Sequence, residues 1–217
     1  MEESTSKEKV FKNVRNALID RSDNPYPSVD FESPVFADRG EGMDITFAEE
    51  FTRVGGNFIY CENHREVIQN LSDLVSGNKW SRLFCSEPAI GDLLKEAGLS
   101  YSSDEKDFLD METGFTSCEY LIARLGSIMV SSRQLSGRRM HGYPENHVVI
   151  GYSSQLVPNL KNALSGIRER YRNNLPSMIT VITGPSRTAD IEKTLVMGAH
   201  GPKNLFLFLI EDRSNQA

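Results

Sequence analysis

The sequence predicts an α/β fold: a mostly parallel sheet flanked by helices, with a helical extension at the N-terminus. Two observations carry this. Short apolar runs alternate with amphipathic stretches through most of the chain, as strand–helix repeats do. The late runs Val148-Val149-Ile150, Met178 to Ile182 and Leu205 to Ile210 are continuously apolar, as strands buried on both faces are.

Taken in order, residues 3–20 read as a helix, since Val10, Phe11, Val14, Ala17 and Leu18 recur at helical spacing. Residues 21–42 hold Pro25, Pro27 and Pro34 and read as an extended connector. Phe47, Phe51 and Val54 suggest a short helix closed by Gly55-Gly56. Strands are then expected at 57–61, 82–85, 127–130, 147–151, 178–182 and 205–210. Helices are expected at 64–75, 89–97, 117–123, 153–171 and 189–197. The chain thus divides into residues 1–55, a helix and connector, and residues 56–217, an α/β domain.

Composition narrows the function. The 217 residues are 39% hydrophobic and 25% charged, a globular balance. Thirty acids against 24 bases give a net charge of −6, which disfavours nucleic acid and anionic membranes as partners. Cys61, Cys85 and Cys118 are far apart and odd in number. They offer no thiolate set for an iron–sulfur cluster, and no Cys/His spacing suits a metal. No Gly-x-Gly-x-x-Gly loop exists for a flavin or dinucleotide. No cofactor is therefore expected on this chain. The acidic start does not resemble a secretory signal, no apolar run would span a bilayer, and a reduced cytoplasmic setting is expected.

The segment Thr183-Gly184-Pro185-Ser186-Arg187-Thr188-Ala189-Asp190-Ile191-Glu192 follows an expected strand and opens an expected helix. Two readings fit it. In one, free N–H groups at the helix start, Gly184, the hydroxyls of Thr183, Ser186 and Thr188 and the fork of Arg187 hold a small anion. In the other, Ser186 or Thr188 caps the helix while Asp190 and Glu192 complement its dipole. An internal acid, Asp190 or Glu192, is expected to pair Arg187 when no ligand is bound.

Gly198-Ala199-His200-Gly201-Pro202-Lys203 ends the same helix. There His200 reads either as a ligand-orienting donor or as a histidine favoured by the helix C-terminus. Glu119 reads as a nucleophile or base if buried, or as a solvated acid in a first helical turn. Arg133, Arg138 and Arg139 form a basic cluster that suits an acidic ligand or partner, or is a solvated loop. His141 and His147, without a third ligand, make no metal site. The Thr183–Thr188 loop, His200, and Gly126 with Ser127 are expected to meet at one end of the sheet.

The run from Ile182 to Glu192, then Leu195-Val196-Met197-Gly198 and His200-Gly201-Pro202, resembles the C-terminal signature of the LUD-domain proteins, and within them the LutC/YkgG group of lactate utilization proteins. Arg139, Pro144, His147-Val148-Val149-Ile150, Val157-Pro158 and Gly126-Ser127 continue the resemblance, which covers about residues 82–211. It implies a NagB/RpiA/CoA-transferase-like fold and a role in a cytosolic system that oxidises L-lactate to pyruvate, as a non-redox subunit or accessory protein. The iron–sulfur clusters would sit on companion proteins. The alternative is a free-standing protein that binds or transforms a small anion such as an organic acid, a sugar phosphate or a CoA thioester. In place of the group's Ala-Glu-Thr-Gly, this chain reads Ala123-Arg124-Leu125-Gly126. Arg cannot abstract a proton as Glu can, so any chemistry that needs that Glu is lost here.

Overall fold

The computed structural model describes residues 5–19, 25–30, 33, 36, 40–191, 194–198 and 200–212. The chain forms two compact units, Met1–Gly40 and Glu41–Ala217. In the first, helix α1 spans Ser6–Ile19. A reciprocal cap starts it: the Thr5 N–H donates to Glu8 Oε2 (2.8 Å) and the Glu8 N–H to Thr5 Oγ1 (3.4 Å). The rest of the expected connector lies in part outside the described residues.

The second unit holds α2 (Met43–Arg53), β1 (Asn57–Cys61), α3 (His64–Asn78), β2 (Leu83–Phe84), α4 (Pro88–Glu96), β3 (Thr113–Ser117), β4 (Tyr120–Ile122) and β5 (Ser127–Ser131). It continues through β6 (Asn146–Tyr152), β7 (Leu156–Val157), α5 (Leu160–Tyr171), β8 (Ile179–Ile182), β9 (Arg187–Ile191), β10 (Thr194–Met197) and β11 (Asn204–Ile210). α2 belongs to this unit rather than to residues 1–55, because Phe47 and Phe51 are wholly buried in its core.

The central sheet is parallel, in the order β1-β11-β6-β3-β2. Alternation along β11 shows how it is covered. Phe206, Phe208 and Ile210 face α3 and α4, together with Phe115, Val148 and Ile150. Leu205, Leu207 and Leu209 face the other way, onto Leu121, Ile128, Val130 and the two phenylalanines of α2. Helices α3 and α4 thus cover one face, and α2 with a second sheet of order β7-β4-β5-β8 covers the other. The far side of that sheet packs Ile122 and Met129 against Ala163 and Ile167 of α5.

Three expected helices are corrected. Residues 117–123 form no α-helix: Ser117 ends β3 and Tyr120–Ile122 form the strand β4, with Leu121 turned to one core and Ile122 to the other. Residues 153–171 do not make one helix. Leu156 and Val157 pair with β4, and α5 starts only after Pro158, where the Asn159 side chain accepts from the Asn162 N–H (3.2 Å). A proline cannot continue a helix backwards through its missing N–H. Residues 189–191 and 194–197 fall instead in the antiparallel strands β9 and β10. β-branched Thr188, Ile191, Thr194 and Val196 favour strands there. A fourth correction concerns β8. It is not buried on both faces, since it is the edge strand of the second sheet and exposes Ile179 and Val181.

Candidate functional site

Without a helix after β8, the Thr183–Thr188 segment has no helix N-terminus to present to an anion. Thr183–Ser186 is a loop leading into β9, which holds Arg187 and Thr188. One set of the expected site residues gathers around the C-terminal end of α2. Ser127, at the head of β5, and Thr183, just past β8, stand hydroxyl to hydroxyl, with Oγ atoms 2.8 Å apart. Gly126 has a left-handed backbone (φ +55°), and a Cβ there would collide with the backbone of Glu50 and Phe51 in α2. Gly184 (φ +77°) approaches the Val54 carbonyl as tightly. Arg187 Nη2 donates to that same carbonyl, which sits at the end of α2. A helix-terminal carbonyl attracts a cation; the expected acid partners, the Asp190 side chain and Glu192, lie outside the described residues. Asp190 lies in β9, Thr188 pairs with Val196 across the hairpin, and Glu192 lies outside the described residues.

A second set lies at the amino ends of the central strands, beside the first. The Ser186 N–H donates to the Pro202 carbonyl (2.8 Å) and the Gly198 N–H to the Ser186 carbonyl (2.9 Å). These bonds tie the 183–188 loop to the His200-Gly201 turn. His200 and Gly201 line an open groove of about 560 Å³, with Gly198, Tyr143, Glu145 and Lys203. Leu109, Met111 and Met197 give it an apolar wall. Glu145 and Lys203 immediately precede β6 and β11, and their charged ends are 3.7 Å apart. Arg139 sits on the neighbouring turn, where the Gly142 and Tyr143 N–H groups donate to its carbonyl (3.2 and 3.0 Å). Its guanidinium pairs with Glu105 and lies over the Phe108 ring. His200, Gly201 and Ser186 are thus joined; Gly126, Ser127, Thr183, Gly184 and Arg187 form the adjoining cluster; Arg139 is directed outward to Glu105.

Sequence reasoning missed Tyr143 and Glu145. A signal was present: β1, β6 and β11 each begin on Asn ahead of an apolar run, with His147 between the two in β6. Asn204 donates to Asn146 Oδ1 (2.8 Å) and Asn57 donates to the Leu205 carbonyl (3.2 Å). The asparagines align the strand starts, and so bring the residues just before them, Glu145 and Lys203, side by side.

The carboxyl ends of β3 and β5 carry a separate polar network. Ser117 Oγ donates to Glu87 Oε2 (2.5 Å), and Gln134 Nε2 donates to the Ser117 carbonyl (2.7 Å). Gln134 Oε1 accepts the Ser131 N–H (2.8 Å), and Ser131 Oγ donates to Glu119 Oε1 (2.5 Å). Glu119 is no solvated acid of a helical turn; it is 2% exposed between strands. Between the two sheets, His147 is fully buried with Nε2 2.8 Å from Thr116 Oγ1. Burial, and secondarily the nearby His141, push its pKa down to about 3, so the ring is neutral. The three thiols are buried: Cys61 and Cys85 on the helix side of the central sheet, Cys118 on the other. Burial raises the Cys85 thiol to about 11 and Cys118 further. Among the described residues no group of three or more His, Cys, Asp or Glu could hold a metal ion, and no helix is long and apolar enough to cross a membrane.

Known proteins resemble this chain in sequence and in fold. The chain is similar to lactate utilization protein C of Geobacillus thermodenitrificans, 36% identical over 102 residues, covering 46% of this chain and 42% of that protein. It is 37% identical over 102 residues to lactate utilization protein C of Bacillus subtilis, with the same coverage. The matched part spans about two fifths of the length of these relatives. In fold it resembles the crystal structure of a DUF162 family protein from Deinococcus radiodurans, with a TM-score of 0.58 and 15% identity over 77% of this chain and 96% of the other. Residues 86–210, more than half of the sequence and every central strand but β1 and β2, match the LUD domain, and the chain belongs to the LUD domain family.

Proposed function

We propose that this protein serves L-lactate utilization in the cytoplasm, as a non-redox subunit or accessory protein beside companion iron–sulfur proteins. The observation that carries the reading is the 36–37% identity, over 102 residues, to proteins named lactate utilization protein C. The placement of the thiols supports the non-redox part. Cys61 and Cys85 lie on one side of the central sheet and Cys118 on the other, so they do not converge on one cluster. On this reading the purified chain carries neither iron nor flavin. Deletion of its gene in the native host tests the role. Growth on L-lactate as sole carbon source should fail while growth on glucose continues; undiminished L-lactate oxidation in the deletion strain refutes it.

A second reading, a small-anion binding protein, is favoured by the groove. His200 and Lys203 there flank three glycines, Gly142, Gly198 and Gly201, whose backbones lie open to a ligand. A carboxylate could pair with Lys203 in place of Glu145, whose 3.7 Å contact is long for an ion pair. Calorimetric titration with L-lactate and pyruvate, on wild type and on Lys203→Ala, tests this. Binding that the substitution leaves unchanged removes the groove from consideration.

A further inference from the structure

β8 ends the second sheet, and among the described residues no strand pairs with its far side. It pairs antiparallel with β5, from Ile182 opposite Ile128 to Ile179 opposite Ser131. One step on, the Ser132 N–H donates to the Met178 carbonyl (3.0 Å), which marks Ser132 and Met178 as a hydrogen-bonded pair. Hydrogen-bonded and non-hydrogen-bonded pairs alternate along such a ladder. Thr180 and Ile182 therefore turn their peptide groups to β5, while Ile179 and Val181 turn theirs to the open edge. The side chains of the same two residues lie on the outer face, 37% and 38% exposed.

Sheet edges are ordinarily guarded by charge, proline or a bulge. This one is not. No charged residue lies between Arg172 and Arg187, and Pro176 and Pro185 both fall outside the strand. The guanidiniums of Arg133 and Arg138 bond Asn174 and Ser177, ahead of the strand, so a second copy meets no charged side chain of the strand itself along Ile179–Ile182.

We propose that β8 is a self-pairing edge, through which two copies of the chain join antiparallel across a twofold axis at Thr180. The register follows from parity. Residues opposite each other in an antiparallel pair point to the same face, so the axis passes through a residue and not between two. Centred on Thr180, it sets Ile179 opposite the second copy's Val181, and Val181 opposite the second copy's Ile179. All the outward peptide groups of Ile179 and Val181 are then bonded, and four exposed apolar side chains become two cross-strand pairs. The two four-stranded sheets become one continuous sheet, and the interface is isologous, as twofold dimers require.

Size-exclusion chromatography with light scattering on the full chain tests this at tens of micromolar. The expected mass is twice 24.4 kDa. Val181→Lys should return it to monomer, whereas Leu164→Lys, an equally exposed apolar position on α5, should leave the dimer intact. Where Val181→Lys fails to fold, Thr180→Cys decides. Thr180 faces its own copy in a non-hydrogen-bonded pair, at a Cα separation that a disulfide spans, so mild oxidation should give a covalent dimer on a non-reducing gel. A monomeric wild type overturns the proposal. So does a dimer that survives Val181→Lys, or a Thr180→Cys variant that does not cross-link.

Discussion

Arg170 Nη1 reaches from α5 to within 2.6 Å of Glu119 Oε2, and so holds an otherwise inaccessible carboxylate beside the β3–β4 turn. Tyr171 OH donates to the other oxygen at 2.7 Å, as Ser131 does at 2.5 Å. The pair is lopsided: Glu119 is 3% exposed at its side chain and Arg170 45%. Removing Arg170 leaves a buried charge with two hydroxyl donors but no counter-ion. Arg170→Ala should cost about 1–3 kcal/mol, less than a wholly buried pair because water screens the guanidinium. Glu119→Gln should cost less, since its carbonyl still accepts from Ser131 and Tyr171. Denaturant titration of both single variants and the double variant measures the coupling; costs that simply add would show that the pair is not coupled.

Much of the core was legible because burial leaves a period. β1, β6 and β11 each read as short apolar runs, and α3 and α4 as helical stripes. The errors fell where a short segment carries both signals. Tyr120-Leu121-Ile122 can continue a helix as readily as a strand; its pairing with β5 and β7, distant in sequence, decides it. At 188–197 the acids and alternating apolar residues suit a helix wheel, while the β-branched residues suit a hairpin. That choice removed the helix dipole from the anion site. The sequence predicts that Ser127 and Thr183 meet at one end of a mostly parallel sheet. They meet at the antiparallel β5–β8 pair instead, because antiparallel neighbours bring a strand start beside a strand end.

The backbone at Gly126 yields a paired test. Gly126 and Gly137 both have left-handed backbones, φ +55° and +69°, so alanine pays the same conformational cost of about 1–2 kcal/mol at either. They differ in space: a Cβ at Gly137 meets nothing within 4 Å, and one at Gly126 meets the α2 backbone. Gly126→Ala should therefore cost about 2–4 kcal/mol in all, with overpacking added. Equal melting temperatures for the two variants would show that α2 gives way freely.

Arg187 should matter modestly to stability. It is exposed, and its described bond is to the Val54 carbonyl at the end of α2. A cation at a helix C-terminus contributes about 0.3–1 kcal/mol, and salt screens it. Arg187→Ala should lower stability within that range at low salt and by less in 1 M salt, with Arg187→Lys between the two. A loss of several kcal/mol would mean that Arg187 is a packing residue of the loop.

His147 sets a limit on acid stability. Unfolded, its imidazole takes a proton near pH 6.5; folded, burial holds it neutral until about pH 3. The folded pKa is the lower one, so the contribution is complete above pH 6.5. It declines as pH falls from there towards 3, because only the unfolded chain gains the proton. The slope is about 1.4 kcal/mol per pH unit within that window. His141 is shifted the same way by burial and adds to the effect. His147→Gln keeps a polar group beside Thr116 and removes the titration. Between pH 6 and pH 4 the wild type should lose about 2–3 kcal/mol more than this variant, whatever their difference at pH 7. Urea titrations at the two pH values read this directly; parallel losses would mean that His147 already takes its proton in the folded protein.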